Sequence, residues 1–560
     1  MSSRPLLLTA LALAAAVPAP AQDLVWAEGA SPLLRDVWRV TESDPTATPS
    51  LVLAGVEFLP IEITNRTAQQ DLADDVARRA VRQGLARVVL PDGGSLFRYR
   101  RANGTLWGFL SIDAAGAARV VVEVAGLAGG GTDPFFDRIA VAPDGRHAIL
   151  PLIDGRLAIL RLDGADYPST SAPARFVTLA NGVENFSHTC GRNVAWLVGG
   201  NDTVWRIALS DGAVPIEVTP PVIAGARAKP EFAPAADGRS AAFLYGPRGA
   251  FGIWLVGEQG PSVQVPVAPA DYEEPGYLPE ITGGPHLLLN ADGTRLLCID
   301  ATVRDETFVA DVAGLLPVTH WTGDHNFQPY IGVIILPLAI GTVFVAGIGD
   351  PGRFDLHAAS AGTATTVNLT QTSGNLAPPY QSGALVLSAM TTFRDGSFLS
   401  SLAASTGGAP HAFQFGPAGI TPRGGDQSGE VRRGASTDAR VPADLLVPSA
   451  SGDLLLSGSD GRPLFTEIAG LRLSTSVMGP NGVYRAFFAD ALGLRALVVE
   501  VPGIGIFGFP ATGADDAVLS ASGALALDGA QEILLVTPNG TRPVAAGTAN
   551  RLILSGQGVE

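Results

Sequence analysis

Apolar and polar residues alternate along this chain in short runs, and the runs stop at Asp-Gly or Asn-Gly pairs. From Asp137 it reads DRIAVAPDGRHAILPLIDGRLAILRLDG: an alternating run, a turn at Pro143-Asp144-Gly145, a second run, a turn at Asp154-Gly155, and a third run. Residues two apart share one face of a strand. Glycine accepts the positive φ that tight hairpin turns need. The pattern therefore predicts antiparallel strands joined by hairpins. The same unit returns from Val88, Pro230, His286 and Ser476, and more weakly around Asn185, Gln328, Pro378, Leu446 and Val518.

Units recurring every ~40–55 residues, each with several strands, have the period of propeller blades. One such sheet cannot bury both faces alone, whereas radial packing buries both. The expected fold is all-β: a single β-propeller of eight blades, each a four-stranded antiparallel sheet, with one short N-terminal helix. Seven blades or two smaller rings fit the same turns. LVWAEGASPLLRDVWRVTE, from Leu24, has the pattern of a blade's second and third strands without its first. It is expected to close the ring by pairing with strands near residues 525–540. TAQQDLADDVARRAVRQG is the helix, residues 67–84. Thr67 and Gln70 make a capping box, acids come early, arginines come late, and Gly84 ends it.

Residues 1–21 have the form of a secretory signal: Arg4, an apolar run from Leu6 to Val17, then Ala19-Pro20-Ala21 before Gln22. The chain then divides into an N-terminal segment, 22–86, and the propeller, 87–560. Export to the periplasm or outside the cell is the expected localisation. Such a location permits disulfides. Cys190 and Cys298, however, fall at different positions of units two apart, so two free thiols are expected. The stretch 331–349 is uncharged, but Pro337, its glycines and its β-branched residues suit two buried strands joined near Pro337 better than a membrane span.

Composition agrees with many strands and tight turns: 67 glycines, with 16% charged residues. The net charge is −16 and Lys229 is the only lysine, which argues against a nucleic-acid partner.

Two segments resemble the TolB-like propeller repeats of exported bacterial proteins. KPEFAPAADGRSAAFLYG, from Lys229, carries the proline, aromatic, apolar strand and Asp-Gly of that repeat. VNLTQTSGNLAPPY, residues 367–380, is similar to its link between blades. The resemblance covers most of the chain after the signal and implies the fold more than any activity. The repeats carry no Trp-Asp dipeptide, and about 65 residues after the signal precede the first clear repeat, where TolB itself carries an extra α/β domain.

Candidate chemistry is sparse. No Gly-x-Ser-x-Gly elbow is present for a serine hydrolase. A metal centre would draw on His188, Glu231, Asp324 and His325, which lack close ligand spacing. The Asp-Gly turns lack the alternating oxygens of a calcium loop, and their aspartates are expected to bond their own backbone instead. THWTGDHNFQPY, residues 319–330, concentrates His320 and His325. It aligns with the link at 367–380, Val318 on Val367 and Pro329 on Pro378, so architecture accounts for its form. Trp321, Asp324 and His325 are then candidates for partner contact at a rim of the ring. No catalytic, cofactor-binding or metal residues are expected. The expected function is an exported binding or scaffold protein acting through its rim loops on a protein, peptide or glycan. The alternative is an exported lyase, lactonase or glycosidase using the axial cleft, for which paired carboxylates would have to meet in space.

Overall fold

The computed structural model describes the chain from Asp23 onward, leaving out residues 64–86, 266–286, 322–335 and 369–384 and a number of shorter intervals; between 287 and 384 it describes strand backbones alone. The predicted helix, 67–84, and the signal, 1–21, lie outside the described residues, as do Asp324 and His325.

Within the described residues the chain is nearly all strand, arranged as ten sheets. Most hold four antiparallel strands that pair in chain order. Asp-Gly turns join them as the sequence implies. In the turn at 143–146, Gly145 has φ +72°, its N–H donates to the Ala142 carbonyl at 2.9 Å, and Asp144 Oδ1 accepts the Arg146 N–H at 3.0 Å. In the turn at 235–239 the Gly238 N–H donates to Ala235 and Asp237 Oδ1 accepts the Arg239 N–H, both at 2.9 Å. These aspartates set turn geometry through their own backbone.

The apolar runs face two ways because successive side chains of a strand point to opposite faces. In His147–Pro151, Ala148 and Leu150 pack toward the preceding sheet with Leu96, Phe109 and Val121. Ile149 packs toward the following sheet with Ala195, Leu197 and Ile207. Val194, Trp196 and Val198 of the next sheet then pack on Phe243, Tyr245 and Val256 of the one after. Such a strand has no polar face, which is why its sequence reads as a continuous apolar run.

The chain ends share one sheet. Asp23–Ser31 pairs with Leu34–Thr41 on one side and with the C-terminal strand Leu552–Ile553 on the other, Trp26 opposite Ile553. Leu24–Glu42 therefore supplies second and third strands, as expected, and the first strand comes from 552–553. Residues 525–540 do not pair with it. Their strands, Leu525–Gly529 and Glu532–Thr537, belong to the neighbouring sheet and pack against the first: Ile533, Leu535, Val518 and Val544 meet Leu24, Trp26, Val40 and Ile553. Burying an aliphatic side chain contributes roughly 1.5–3 kcal/mol, against about 1 kcal/mol for a backbone hydrogen bond. The shared core thus outweighs the two-residue ladder in holding the ends together.

Other details depart from the expected pattern. The described strands fall into ten sheets, some of them extended by short strands that the turns do not mark. Short extra strands add to regular sheets: Glu62–Ile63 pairs in parallel with Arg138–Val141, and Gln557–Val559 pairs with Ala514–Leu519. The first sheet continues past four strands, because Ser50–Leu59 also pairs with Ser95–Arg101. The apolar stretch 331–349 forms two antiparallel strands, Leu336–Pro337 and Val343–Ile348. Pro337 ends the first of them, opposite Phe344, so the strands are joined just after it, near Pro337 as expected. Among the described residues no helix is long and apolar enough to cross a membrane. Cys190 is a buried thiol outside any disulfide, its Sγ donating to the Gly191 carbonyl at 3.6 Å. Cys298 lies in the strand Arg295–Asp300.

Candidate functional site

The sheets spanning 138–178, 183–217 and 226–264 bring their first turns together. The Arg192 N–H donates to the Gly238 carbonyl at 2.8 Å, and a Cβ on Gly238 would come within 2.9 Å of Pro143. Three turns from consecutive sheets are thus in contact. Each presents an arginine at its tip, Arg146, Arg192 and Arg239, and all three are exposed.

Beside these turns is a cavity of about 600 Å3. His147, Arg161 and Tyr167 line it from one sheet, Arg192 and Asn193 from the next, and Glu258 and Gln259 from the third. His147 and Arg161 are register partners on neighbouring strands, which sets them side by side.

Most of the lining is already engaged. Arg161 holds Asp163 with two donors, Nε at 3.1 Å and Nη2 at 2.7 Å, and its Nη1 donates to the Asp166 carbonyl at 3.1 Å. The bond to Asp163 raises the Arg161 pKa further and holds the Asp163 carboxyl below the usual range despite partial burial. The Arg161 guanidinium also lies 5.7 Å from the Tyr167 ring centre. The Tyr167 hydroxyl donates to the Leu209 carbonyl at 3.0 Å, and burial raises its pKa to about 12. Asp211 accepts the Ser169 hydroxyl at 2.5 Å and the Ser169 N–H at 2.9 Å. Asn193 Nδ2 donates to Glu258 Oε1 at 2.8 Å.

Two lining groups differ. Burial lowers the His147 pKa, more than nearby Asp144 and Asp163 raise it, so the ring is neutral at pH 7. The Arg192 side chain makes no hydrogen bond or ion pair with the described residues. The cavity can therefore offer one unengaged guanidinium, a neutral imidazole and several amide and carboxylate acceptors.

The residues singled out from sequence fall elsewhere. His188 is buried, with its pKa lowered to about 3 by desolvation and by Arg138. Glu231 lies in the strand Ala226–Pro234. Among the described residues no three His, Cys, Asp or Glu side chains gather as a metal site. Trp321 ends the strand Pro317–Trp321, the outermost of its sheet, opposite Thr307. Thr366–Asn368 has the same outermost place in the next sheet, which agrees with the alignment of the two links.

The cavity was not apparent in the sequence because its residues come from three sheets. A signal was nonetheless present: Gly-Arg follows the first strand in all three, as DGR, CGR and DGR.

No family model matches the chain, and no curated protein does. Solved structures similar to it include Porphyromonas gingivalis dipeptidyl peptidase 4, at 13% identity and a TM-score of 0.42, over 76% of this chain and 66% of that one. The match thus spans just under two thirds of the peptidase. A TolB from Agrobacterium tumefaciens is similar at 15% identity and a TM-score of 0.24, over 45% of this chain and 83% of that one. An oligogalacturonate lyase from Vibrio parahaemolyticus is similar at 9% identity and a TM-score of 0.28, over 66% of this chain and 90% of that one. The β-propeller character of the chain lies in its own strand order: small antiparallel sheets in chain order, with neighbours sharing cores and the last packed on the first.

Proposed function

We propose that this chain is an exported binding or scaffold protein of β-propeller type, presenting its turns and outermost strands to a protein partner. One observation carries the reading. Phe176, Ile216 and Val263 are exposed, and each lies in the outermost strand of one of three consecutive sheets. The strands holding Ile216 and Val263 are only two residues long, which leaves little free edge for another strand to add to. Recognition there would proceed through side chains. Trp321, also on an outermost strand, and Asp324 and His325 after it are proposed as further rim contacts.

Purified full-length chain carrying Phe176→Ser, Ile216→Ser and Val263→Ser tests this in a pull-down from the cell envelope. The native chain is expected to recover a protein that the triple variant does not. Recovery of no partner by the native chain would overturn the reading. Export is tested by the N-terminal sequence of the protein recovered outside the cytoplasm, which should begin at Gln22. The sheets are proposed to form a single ring, and projection images along its axis would count the blades against the expected eight.

A further inference from the structure

Three exposed arginines stand at neighbouring turns of a chain of net charge −16, two of them beside the turn aspartates Asp144 and Asp237. Other arginines of these sheets are engaged. Arg156 pairs with Asp154 at 2.8 Å, Arg175 donates to the Ala208 carbonyl at 2.9 Å, and Arg206 donates to the Gly260 carbonyl at 2.7 Å. The side chains of Arg146, Arg192 and Arg239 make no such contact with the described residues. Arg192 lines the cavity. Arg146 precedes His147 of the lining, and the Arg239 carbonyl accepts the Glu258 N–H at 3.1 Å, so the other two flank it on either side.

We propose that this cavity binds a small organic carboxylate, with the carboxylate on Arg192. A guanidinium matches a carboxylate through two parallel hydrogen bonds. The volume of about 600 Å3 is that of a small-molecule site and not of an extended polymer groove. Charge selects a monoanion. Asp211 and Glu258 stand in the same wall, His147 is neutral, and Arg161 is neutralised by Asp163, so a doubly charged phosphate meets about twice the repulsion that a single carboxylate does. Glu258 has its Oε1 on Asn193, and its Oε2 makes no hydrogen bond with the described residues. That oxygen suits an N–H or O–H close to the ligand's carboxylate. The ligand is therefore a carboxylate with a neighbouring donor, a chemistry shared by the C-terminus of a peptide and by a sugar acid.

The site stands apart from the scaffold reading, since a chain that captures no protein can still bind a carboxylate. Calorimetric titration of the full chain tests it with N-acetylglycine and with glucuronate, each against its uncharged counterpart, N-acetylglycinamide or glucose, and with inorganic phosphate. At least one carboxylate is expected to bind, at least tenfold more tightly than its counterpart and than phosphate. The one that binds identifies the source. Arg192→Ala should weaken binding at least tenfold with an unchanged melting temperature. Arg192→Gln takes its place if the alanine variant does not fold. Arg462→Ala, in the Asp-Gly turn of a different sheet, should bind as the native chain does. The proposal is overturned if neither carboxylate binds at millimolar concentration, if phosphate binds more tightly than both, or if the Arg192 variant binds normally.

Discussion

The backbone N–H of Val25 donates to the Ser555 hydroxyl at 2.8 Å, across 530 residues of sequence. The Leu554 N–H returns a bond to the Val25 carbonyl, also at 2.8 Å. Around this pair Leu24 and Trp26 face the last sheet, while Val25 and Ala27 face the second half of their own. Trp26→Ala removes a fully buried side chain and should cost about 3–5 kcal/mol. Deletion of residues 22–50 should lower the thermal midpoint sharply, and a truncated chain that melts unchanged would refute closure by the two ends.

Gly238 combines a φ of +70° with a contact that leaves no room for a side chain, since a Cβ there would lie 2.6 Å from the Arg192 nitrogen. Gly238→Ala should therefore destabilise by about 1–3 kcal/mol. Gly212→Ala has the same sign of φ, +67°, with nothing within 4 Å, and should cost less. Chemical denaturation of both variants separates backbone strain from loss of contact between turns.

Arg98 is buried and donates to Asp133 at 2.6 Å and to the Pro60 and Phe135 carbonyls at 3.1 and 3.3 Å. Asp133→Ala leaves this cation without its counter-charge and should cost about 3–5 kcal/mol. The joint variant Arg98→Met with Asp133→Ala should recover part of that loss, and a double-mutant cycle measures the difference.

These positions show which parts of the fold the sequence discloses. Hairpins marked by Asp-Gly are local, and the aspartate bonds at Asp144 and Asp237 follow from a few residues each. The second and third strands after Leu24 were legible for the same reason. Their partner, Leu552–Ile553, was not, because two paired residues carry no periodicity. Glu62–Ile63 and Gln557–Val559 escape notice likewise. The cavity around Arg192 depends on three sheets meeting, and its turn reads Cys-Gly-Arg-Asn, without the Asp-Gly that marks its neighbours.

His188 should make the fold sensitive to acid. Its pKa, about 3 in the folded chain, is depressed below the ordinary histidine value of about 6.5. It therefore contributes stability that is complete above pH 6.5 and lost as pH falls toward 3. Within that window one proton is taken up on unfolding, a loss of about 1.4 kcal/mol per pH unit. The fall in unfolding free energy between pH 6.5 and 4 should be shallower in His188→Gln by that amount, whatever the variant's stability at pH 7.

His325 lies in the link after the strand Pro317–Trp321, in the place that Gly374 takes in the aligned link. His325→Gly should change the melting temperature little. A large loss would mean that the histidine holds the fold rather than meeting a partner.

The shared first sheet also fixes an order of events during synthesis. Asp23–Ser31 emerges more than 500 residues before its partner, Leu552–Ile553. Until then the strand has an open edge of unpaired amides and carbonyls, and Leu24 and Trp26 lack their covering sheet. An open edge is a template for pairing with other chains. A chain still bound to the ribosome, or one clipped before Leu552, is thus the aggregation-prone form, and a holding chaperone would be most needed until that strand is released.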